Sequence, residues 1–327
     1  MKKKILQILR ERGGFVSGQE LCETLQVSRT AVWKQIRQLE KDGYRIEAVT
    51  GKGYRMTGVP DSIRAAEVES RLHTEWAGRP VYYFDEITST NLYAKQLAEE
   101  GAPEGLLVVA DAQTKGRGRS GRSWSNPPGT NIAMTLMLRP SLPPEKISMV
   151  TLVAGMAVCT ACRKLYDVPA QIKWPNDVVL DGKKICGILT EMSTEISKVS
   201  YIVIGIGINV NLTEFPEELQ EKATSLCLYT GHEVSRAGLV AECMQCFEAY
   251  YNEFAEAESL APFVDMYNGM LVNRDRTVRV LEPGNEFTGT ALGIDEQGQL
   301  LVRKESGEIC RVYSGEVSVR GIYGYSV

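Results

Sequence analysis

Histidine is nearly missing from this chain: His73 and His232 are the only two among 327 residues. So small a supply leaves no Ser-His-Asp or Cys-His set to assemble, which argues against hydrolysis through a covalent enzyme intermediate. Zinc at either C-x-x-C pair would need more ligands nearby than two histidines offer. The C-x-x-C pairs Cys159/Cys162 and Cys243/Cys246 lie in segments with helical apolar spacing, so all eight cysteines read as reduced, mostly buried thiols. Long apolar runs are missing as well. No window of about 18 uncharged apolar residues occurs, and the start MKKKILQILRERGG places an arginine and a glutamate where a secretory leader needs an apolar stretch. The nearly uncharged segment Ile147 to Leu165 is expected to be a buried core helix. These absences predict a cytoplasmic protein without membrane contact. A dinucleotide fingerprint is absent too. The glycines of Tyr201 to Val210 (YIVIGIGINV) lack the G-x-G-x-x-G spacing and the following helix, and read as close-approach points on a buried strand.

What is present is an uneven charge. Residues 1 to 58 hold twelve Lys/Arg and six Asp/Glu, so of a net charge of −4 that segment carries +6 and the remainder −10. A small basic module is joined to an acidic body. In the module Ile5, Leu6, Ile8 and Leu9 mark one face of a helix ended by Gly13-Gly14. Ser17 and Glu20 form a capping box for a second helix, and Ser28 caps a third with Val32, Ile36 and Leu39 on one face. Gly43 stops it, and Tyr44 to Val49 and Tyr54 to Met56 make a hairpin. Three helices and a hairpin in this span predict a winged helix-turn-helix whose third helix enters a major groove. The candidate DNA contacts are Ser28, Arg29, Thr30, Trp33, Lys34 and Arg37 on that helix and Lys52 at the hairpin tip. Such modules usually read palindromic half-sites, so operator DNA and a second copy of the chain are expected partners.

The densest chemical signal is Gly116-Arg117-Gly118-Arg119-Ser120-Gly121-Arg122-Ser123-Trp124. Glycines let a backbone approach an anion closely, guanidinium groups grip phosphate or carboxylate oxygens bidentately, and an aromatic wall closes the run. The run also fits G-x-x-x-x-G-[KR]-S. A phosphate loop of that type must open a helix, however, and Trp124-Ser125-Asn126-Pro127-Pro128-Gly129 forms turns. With apolar strands at Gly105 to Asp111 and Asn131 to Leu138, the run is expected as a mobile loop between strands that a ligand orders.

Elsewhere Ser62 to Leu72 has a helical pattern, and Val81 to Ile87 reads as a strand leading into Thr88-Ser89-Thr90-Asn91. Those hydroxyls and that amide suit a helix cap over Leu92 to Glu100, a ligand pocket, or both. Ile172-Lys173-Trp174-Pro175-Asn176-Asp177 precedes a strand, a hairpin turn at Asp181-Gly182, and Lys183 to Glu191. Asn209 reads as a polar group at a strand end facing ligand. From about Leu271, short strands broken at Glu282 to Asn285, Asp295 to Gly298 and Glu305 to Glu308 predict a small barrel.

Together, GRGRSGRSW, KWPND, KKICGIL and GIGINVN behind a winged helix closely resemble the bifunctional biotin-protein ligases that also repress the biotin operon. The resemblance covers all three regions of the chain. It implies an α/β multidomain protein: a winged helix-turn-helix at 1–60, a central α+β, class II synthetase-like catalytic domain with a mixed sheet at 61–270, and an SH3-like β-barrel at 271–327. It implies that biotin and ATP form biotinyl-5′-adenylate, with Mg²⁺ brought by ATP and no metal site of the protein's own. Biotin then passes to a lysine of the biotin carboxyl-carrier protein of acetyl-CoA carboxylase, and the adenylate serves as corepressor.

By the same resemblance, Ser89, Thr90, Asn91, Gln113, Gly116, Arg117, Gly118, Arg119 and Lys184 bind biotin. Arg117, Arg119, Arg122, Trp124, Lys173, Asn176, Asp177 and Asn209 bind ATP or the adenylate. Lys184, Arg119 and Arg122 are the catalytic set, Lys184 holding the biotin carboxylate and later the acyl-phosphate oxygen, and Asp177 orients Arg119 or the metal. Two other functions share part of the pattern: a ligand-responsive repressor without turnover, and a lipoate-protein ligase. Three arginines plus Lys184 favour an enzyme over a sensor, and the winged helix and barrel do not suit the lipoate enzyme.

Overall fold

The computed structural model describes residues 1–195, 198–281, 284, 286–314 and 318–321. Glu282, Pro283 and Asn285 of one expected turn, and residues 322–327, lie outside the described residues.

The N-terminal module is α1 (Lys2–Arg12), α2 (Gly18–Leu25), α3 (Arg29–Lys41) and the hairpin β1 (Arg45–Val49) and β2 (Gly53–Gly58). Gly13 ends α1 in the left-handed region, at φ 60°, which suits glycine. Ser17 Oγ accepts the Glu20 N–H at 3.0 Å, but the capping box is only half formed, because the Glu20 carboxylate turns to Arg12 at 2.7 Å. Ser28 Oγ accepts the Ala31 N–H at 3.3 Å and starts α3. Ile5, Leu6, Leu9, Leu21, Val32, Ile36 and Leu39 form a core separate from the rest of the chain.

The central unit runs α4 (Ala65–Glu69), β3 (Val81–Ile87), α5 (Thr90–Glu99), β4 (Leu107–Gln113), β5 (Ile132–Leu138), α6 (Ile147–Tyr166), β6 (Gln171–Lys173), β7 (Asp177–Leu180), β8 (Lys183–Glu195), β9 (Lys198–Ile208), α7 (Glu217–Gln220), α8 (Leu226–Thr230), α9 (Arg236–Ala257) and α10 (Val264–Met270). Its sheet has the order β3-β4-β5-β9-β8-β7-β6, with β3 parallel to β4 and every other pair antiparallel. The helix expected over Ser62 to Leu72 shrinks to Ala65–Glu69. Arg236 holds Asp61 at 2.7 Å and Arg64 is extended, so the chain before Ala65 serves as a strap and not as helix.

One sheet face carries α6 and α9, the other α5, where Ala94, Leu97 and Ala98 meet Leu106, Val108, Met137 and Val203. Helix α6 is apolar on nearly every side because it is covered on nearly every side. By length and composition it could cross a membrane, yet 72% of its most apolar window is buried inside the protein, as expected of a core helix. The Asp181-Gly182 turn joins β7 to β8 with positive φ at both residues, the conformation that a two-residue hairpin of this sequence favours.

The C-terminal unit is β10 (Thr277–Leu281), β11 (Phe287–Ile294), β12 (Leu300–Arg303), β13 (Ile309–Val312) and β14 (Ser318–Gly321), an antiparallel sheet in the order β13-β12-β11-β10-β14. Unlike the N-terminal module it shares its core with the central unit: Val278, Val280, Ile294, Leu300 and Val302 belong to the same apolar cluster as α6. Trp174 is the tie. Its ring is buried, its indole N–H donates to the Gly298 carbonyl at 3.1 Å, and Leu271 bridges Ile172 just upstream.

Candidate active site

The site lies on the α5 face of the large sheet, where three strands present small residues side by side and a fourth presents a carboxylate. Ala133 of β5 pairs with Gly207 of β9, Gly207 with Gly187 of β8, and Gly187 with Asp177 of β7. A side chain on Gly207 would overlap the Trp124 indole, and one on Gly205 would overlap the Asn91 amide. One on Gly187 would lie 2.8 Å from Lys184 Nζ. The glycines of GIGINV are thus close-approach points, as their sequence implies, and what approaches is the site's own furniture.

Over this floor the 116–124 segment folds back on itself. Gly118 N–H donates to the Arg122 carbonyl at 2.7 Å and Trp124 N–H to the Gly116 carbonyl at 2.9 Å, around a 3₁₀ turn at Arg119–Gly121 with Ser120 at φ 54°. Arg119 Nη1 donates to Asn176 Oδ1 at 2.7 Å, and Asn176 Nδ2 to the Ile188 carbonyl at 3.1 Å. The asparagine of KWPND therefore clamps the arginine loop to β8. Trp124 Nε1 is buried and has no hydrogen-bond partner among the described residues.

Two depressions result. The first is lined by Ser89, Thr90, Asn91, Gln113, Arg117, Gly118, Arg119, Trp124, Asn176, Lys184 and the glycine floor. The second is lined by Gly118, Arg119, Arg122, Trp124, Lys173, Asn176, Asp177, Lys184 and Arg320. Gly116 and Asn209 line neither. Gly116 braces Trp124 and Gln113 from behind, and Asn209 donates to the Thr224 carbonyl at 3.2 Å. Ser89 precedes α5 but makes no side-chain cap, so the capping role expected of Ser89-Thr90-Asn91 is not realised. All three are buried and their polar atoms serve the pocket wall: Gln113 Oε1 accepts the Thr90 N–H at 2.8 Å, and Asn91 Oδ1 accepts the Thr135 hydroxyl at 2.7 Å.

The second depression gathers cations around one carboxylate. Asp177 lies 2.6 Å from Lys184 Nζ and 3.7 Å from Lys173 Nζ, and attracts Arg119 at longer range. It thus contacts two lysines, and its charge also acts on Arg119, the group that the resemblance gave it. Burial pushes the Lys173 ammonium down to about 8 against the pull of Asp177, with Lys184 and Arg320 pushing the same way as burial. Burial also lowers Arg119, which the charge of Asp177 opposes and that of Arg122 reinforces. The depression thus brings Lys173, Lys184, Arg119, Arg122 and Arg320 together, and clustered cations of this kind attract polyanions. Among the described residues no three His, Cys, Asp or Glu side chains are grouped to hold a metal ion.

On the N-terminal module Arg29, Thr30, Trp33, Lys34 and Arg37 are exposed along α3, Lys52 tips the wing, and Arg37 lies over the Trp33 ring at 5.5 Å. Ser28 is exposed at the helix start, with its hydroxyl committed to the cap. The module is fixed to the central unit through Glu67 of α4. That buried carboxylate accepts from Arg10 at 2.8 Å, Arg71 at 2.7 Å and the Tyr44 hydroxyl at 2.6 Å. Burial first and Glu67 second raise the Tyr44 phenol well above its ordinary value.

The sequence reading missed Arg320, Thr135, Glu191 and Lys95. Arg320 comes from another sheet far along the chain and no local pattern announces it. Thr135 is one polar residue in the apolar run 132–138, the kind of interruption that marks a pocket wall.

Comparison with known proteins finds relatives for all three regions of the chain. Residues 81–209 match the profile of the Biotin/lipoate A/B protein ligase family, residues 2–55 an HTH domain, and residues 275–320 the Biotin protein ligase C terminal domain. The chain is 39% identical over 322 residues to the Bifunctional ligase/repressor BirA of Bacillus subtilis (strain 168), covering 98% of each. To the protein of that name from Escherichia coli (strain K12) it is 32% identical, covering 97% of this chain and 96% of the relative. The solved biotin protein ligase from Aquifex aeolicus in complex with biotin and ATP superposes with a TM-score of 0.65 at 32% identity, over 74% of this chain and 98% of that one.

Proposed function

The chain belongs to the biotin/lipoate A/B protein ligase family, as a bifunctional biotin ligase and repressor, and we propose that the first depression takes biotin and the second the phosphates of ATP. One observation carries this division: Lys184 and Arg119 line both depressions, so the reacting carboxylate and the α-phosphate would meet between them. Residues 1–60 form the DNA-binding unit, 61–270 the catalytic unit and 271–327 a third unit that lends Arg320 to the phosphate side.

In the first half-reaction a carboxylate oxygen of biotin attacks the α-phosphorus, and the bond to the pyrophosphate oxygen breaks. Two anions must come together for this. Lys184, Lys173 and Arg119, with Arg117 and Arg122 from the loop, offset their repulsion and hold the departing pyrophosphate. The product is biotinyl-5′-adenylate. In the second, the amine of a lysine on a carboxyl-carrier protein attacks the acyl carbon. The C–O electron pair leaves with AMP, the amine proton passes to solvent, and Lys184 stabilises charge on the acyl-phosphate oxygen. Asp177 is already shared by two lysines, so the donor set suits Mg²⁺ arriving as its ATP complex, where the ion would neutralise phosphate charge.

As a repressor the protein acts as a dimer with the adenylate as corepressor. This reading is supported by β8, which beyond Ile188 pairs with β9 alone among the described residues, leaving an open strand edge that includes the exposed Met192. A cytoplasmic setting is supported by eight free thiols.

Incubation with ATP and either biotin or lipoate, followed by mass measurement of the adenylate, tests the enzyme reading. A biotinyl adenylate is expected, and none, or only the lipoyl one, would overturn it. Sedimentation and operator titration with and without the adenylate test the repressor. Identical dimer population and DNA affinity in both states would rule the corepressor out.

A further inference from the structure

We propose that Glu191, held by Lys95, fixes the direction of the hydrogen bonds in the pocket wall and so makes Thr90 an acceptor that selects a ligand head bearing an N–H. This rests on the biotin reading and deepens it, since a ureido ring carries N–H groups and a dithiolane carries none.

Lys95 Nζ lies 2.6 Å from Glu191 Oε1, and Asn91 Nδ2 donates to Glu191 Oε2 at 2.8 Å. Burial alone would raise Glu191. The Asn91 amide, the Lys95 ammonium and Arg117 outweigh it, so the carboxyl sits below its ordinary value and is an acceptor only. The Asn91 amide therefore has one allowed orientation, because a flip would set its oxygen against the carboxylate. Gly205 leaves just the room this amide needs.

With Nδ2 turned to Glu191, Asn91 Oδ1 faces Thr135 and takes its only hydroxyl proton at 2.7 Å. The Thr135 oxygen also lies 2.8 Å from the Thr90 oxygen, and having no second proton it must accept there. The Thr90 proton is thereby committed. It is not available to Gln113 Oε1, 3.2 Å away, which takes the Thr90 backbone N–H instead. Thr90 is left with a lone pair toward the cavity it lines. A head lacking an N–H would bury that lone pair unpaired, the kind of mismatch that discriminates strongly. Remove Glu191 and only the long 3.4 Å contact from Asn91 Nδ2 to the Leu189 carbonyl opposes a flip of the amide; once it flips, the hydroxyls can reverse and Thr90 can donate.

The test uses the full chain, biotin, and the two cyclic carbamate analogues in which one ureido N–H is replaced by oxygen. The wild type should reject one carbamate strongly, by about 100-fold in kcat/KM. Glu191→Ala should raise the KM for biotin by about tenfold, leave the KM for ATP within about twofold, and shrink that rejection below about tenfold. Thr135→Val, nearly isosteric and with Glu191 intact, should shrink it as well, which keeps the test open if Glu191→Ala folds poorly. Rejection that persists in both variants, or KM values for biotin and ATP that rise together, would reduce Glu191 to a strut between α5 and β8 and overturn the proposal. A wild-type protein that makes no biotinyl adenylate would instead sink the biotin reading itself.

Discussion

The Lys184 ammonium lies 2.6 Å from the Asp177 carboxylate, above a floor that Gly187 keeps clear. A carboxylate thus already stands where the ligand lysine ends, and a substrate carboxylate must share or displace it. Its neighbour Lys183 has a different fate, donating to the Gln220 carbonyl at 2.8 Å outside both depressions.

This contrast separates two adjacent lysines. Lys184→Ala should lower both adenylate formation and transfer from preformed adenylate by at least about tenfold, the effect of roughly 1.4 kcal/mol of transition-state stabilisation. Lys183→Ala should change either by less than about twofold. Single-turnover measurement of each half-reaction decides it, and equal small effects at both positions would move Lys184 out of the site.

Gly207 makes room for Trp124, so Gly207→Ala should expel the indole from the floor. The protein should stay folded, because only the loop must yield, while adenylate formation falls at least about tenfold. Tryptophan fluorescence should report a more solvated ring. A Gly207→Ala protein with wild-type rates and an unchanged spectrum would show that Trp124 is dispensable.

Lys173 sets a pH dependence. Its ammonium is lowered to about 8, so in the free protein the cation is present below that pH and lost above it. Because phosphates need the cation, kcat/KM for ATP should fall as pH rises through about 8, while biotin affinity stays flat. Stability moves the other way. Between about 8 and the ordinary lysine value of 10.5 the unfolded chain binds more protons, so the folded state gains stability as pH rises. A flat ATP profile from pH 7 to about 9.5 would separate Lys173 from the phosphates.

The N-terminal module is docked through Glu67. Glu67→Ala leaves Arg10 and Arg71 without their shared carboxylate, but both guanidinium groups keep some solvent access, so the loss should be about 2 kcal/mol, below the cost of stranding fully buried charges. Adenylate formation should be spared, and protease cleavage between residues 58 and 65 should accelerate. Unchanged cleavage would mean that the docking rests on other contacts.

Local chemistry determined much of this protein from its sequence. The three helices and wing, the core helix α6, the Asp181-Gly182 hairpin and the strand 201–208 follow from apolar spacing, caps and turn residues, which act over a few residues and are therefore readable in order along the chain. The arginine loop could be marked as anion-binding because three guanidinium groups alternate with glycines in so short a run, whereas KWPND gained a ligand role only through the family resemblance. Where helix α4 begins was not readable, since Asp61 answers to Arg236, a partner 175 residues away. Only the tertiary structure decided that Ser89, Thr90 and Asn91 turn into the pocket wall instead of capping α5, that Asp177 lies against two lysines, and that Asn209 donates to the Thr224 carbonyl. It alone brought Arg320 to the second depression and set Glu191 against Asn91. Each of these depends on which strands are neighbours and in what register, and a one-residue slip of β8 against β9 would turn Gly187 and Lys184 away from Trp124. Register is settled by the whole sheet, and no single segment carries it.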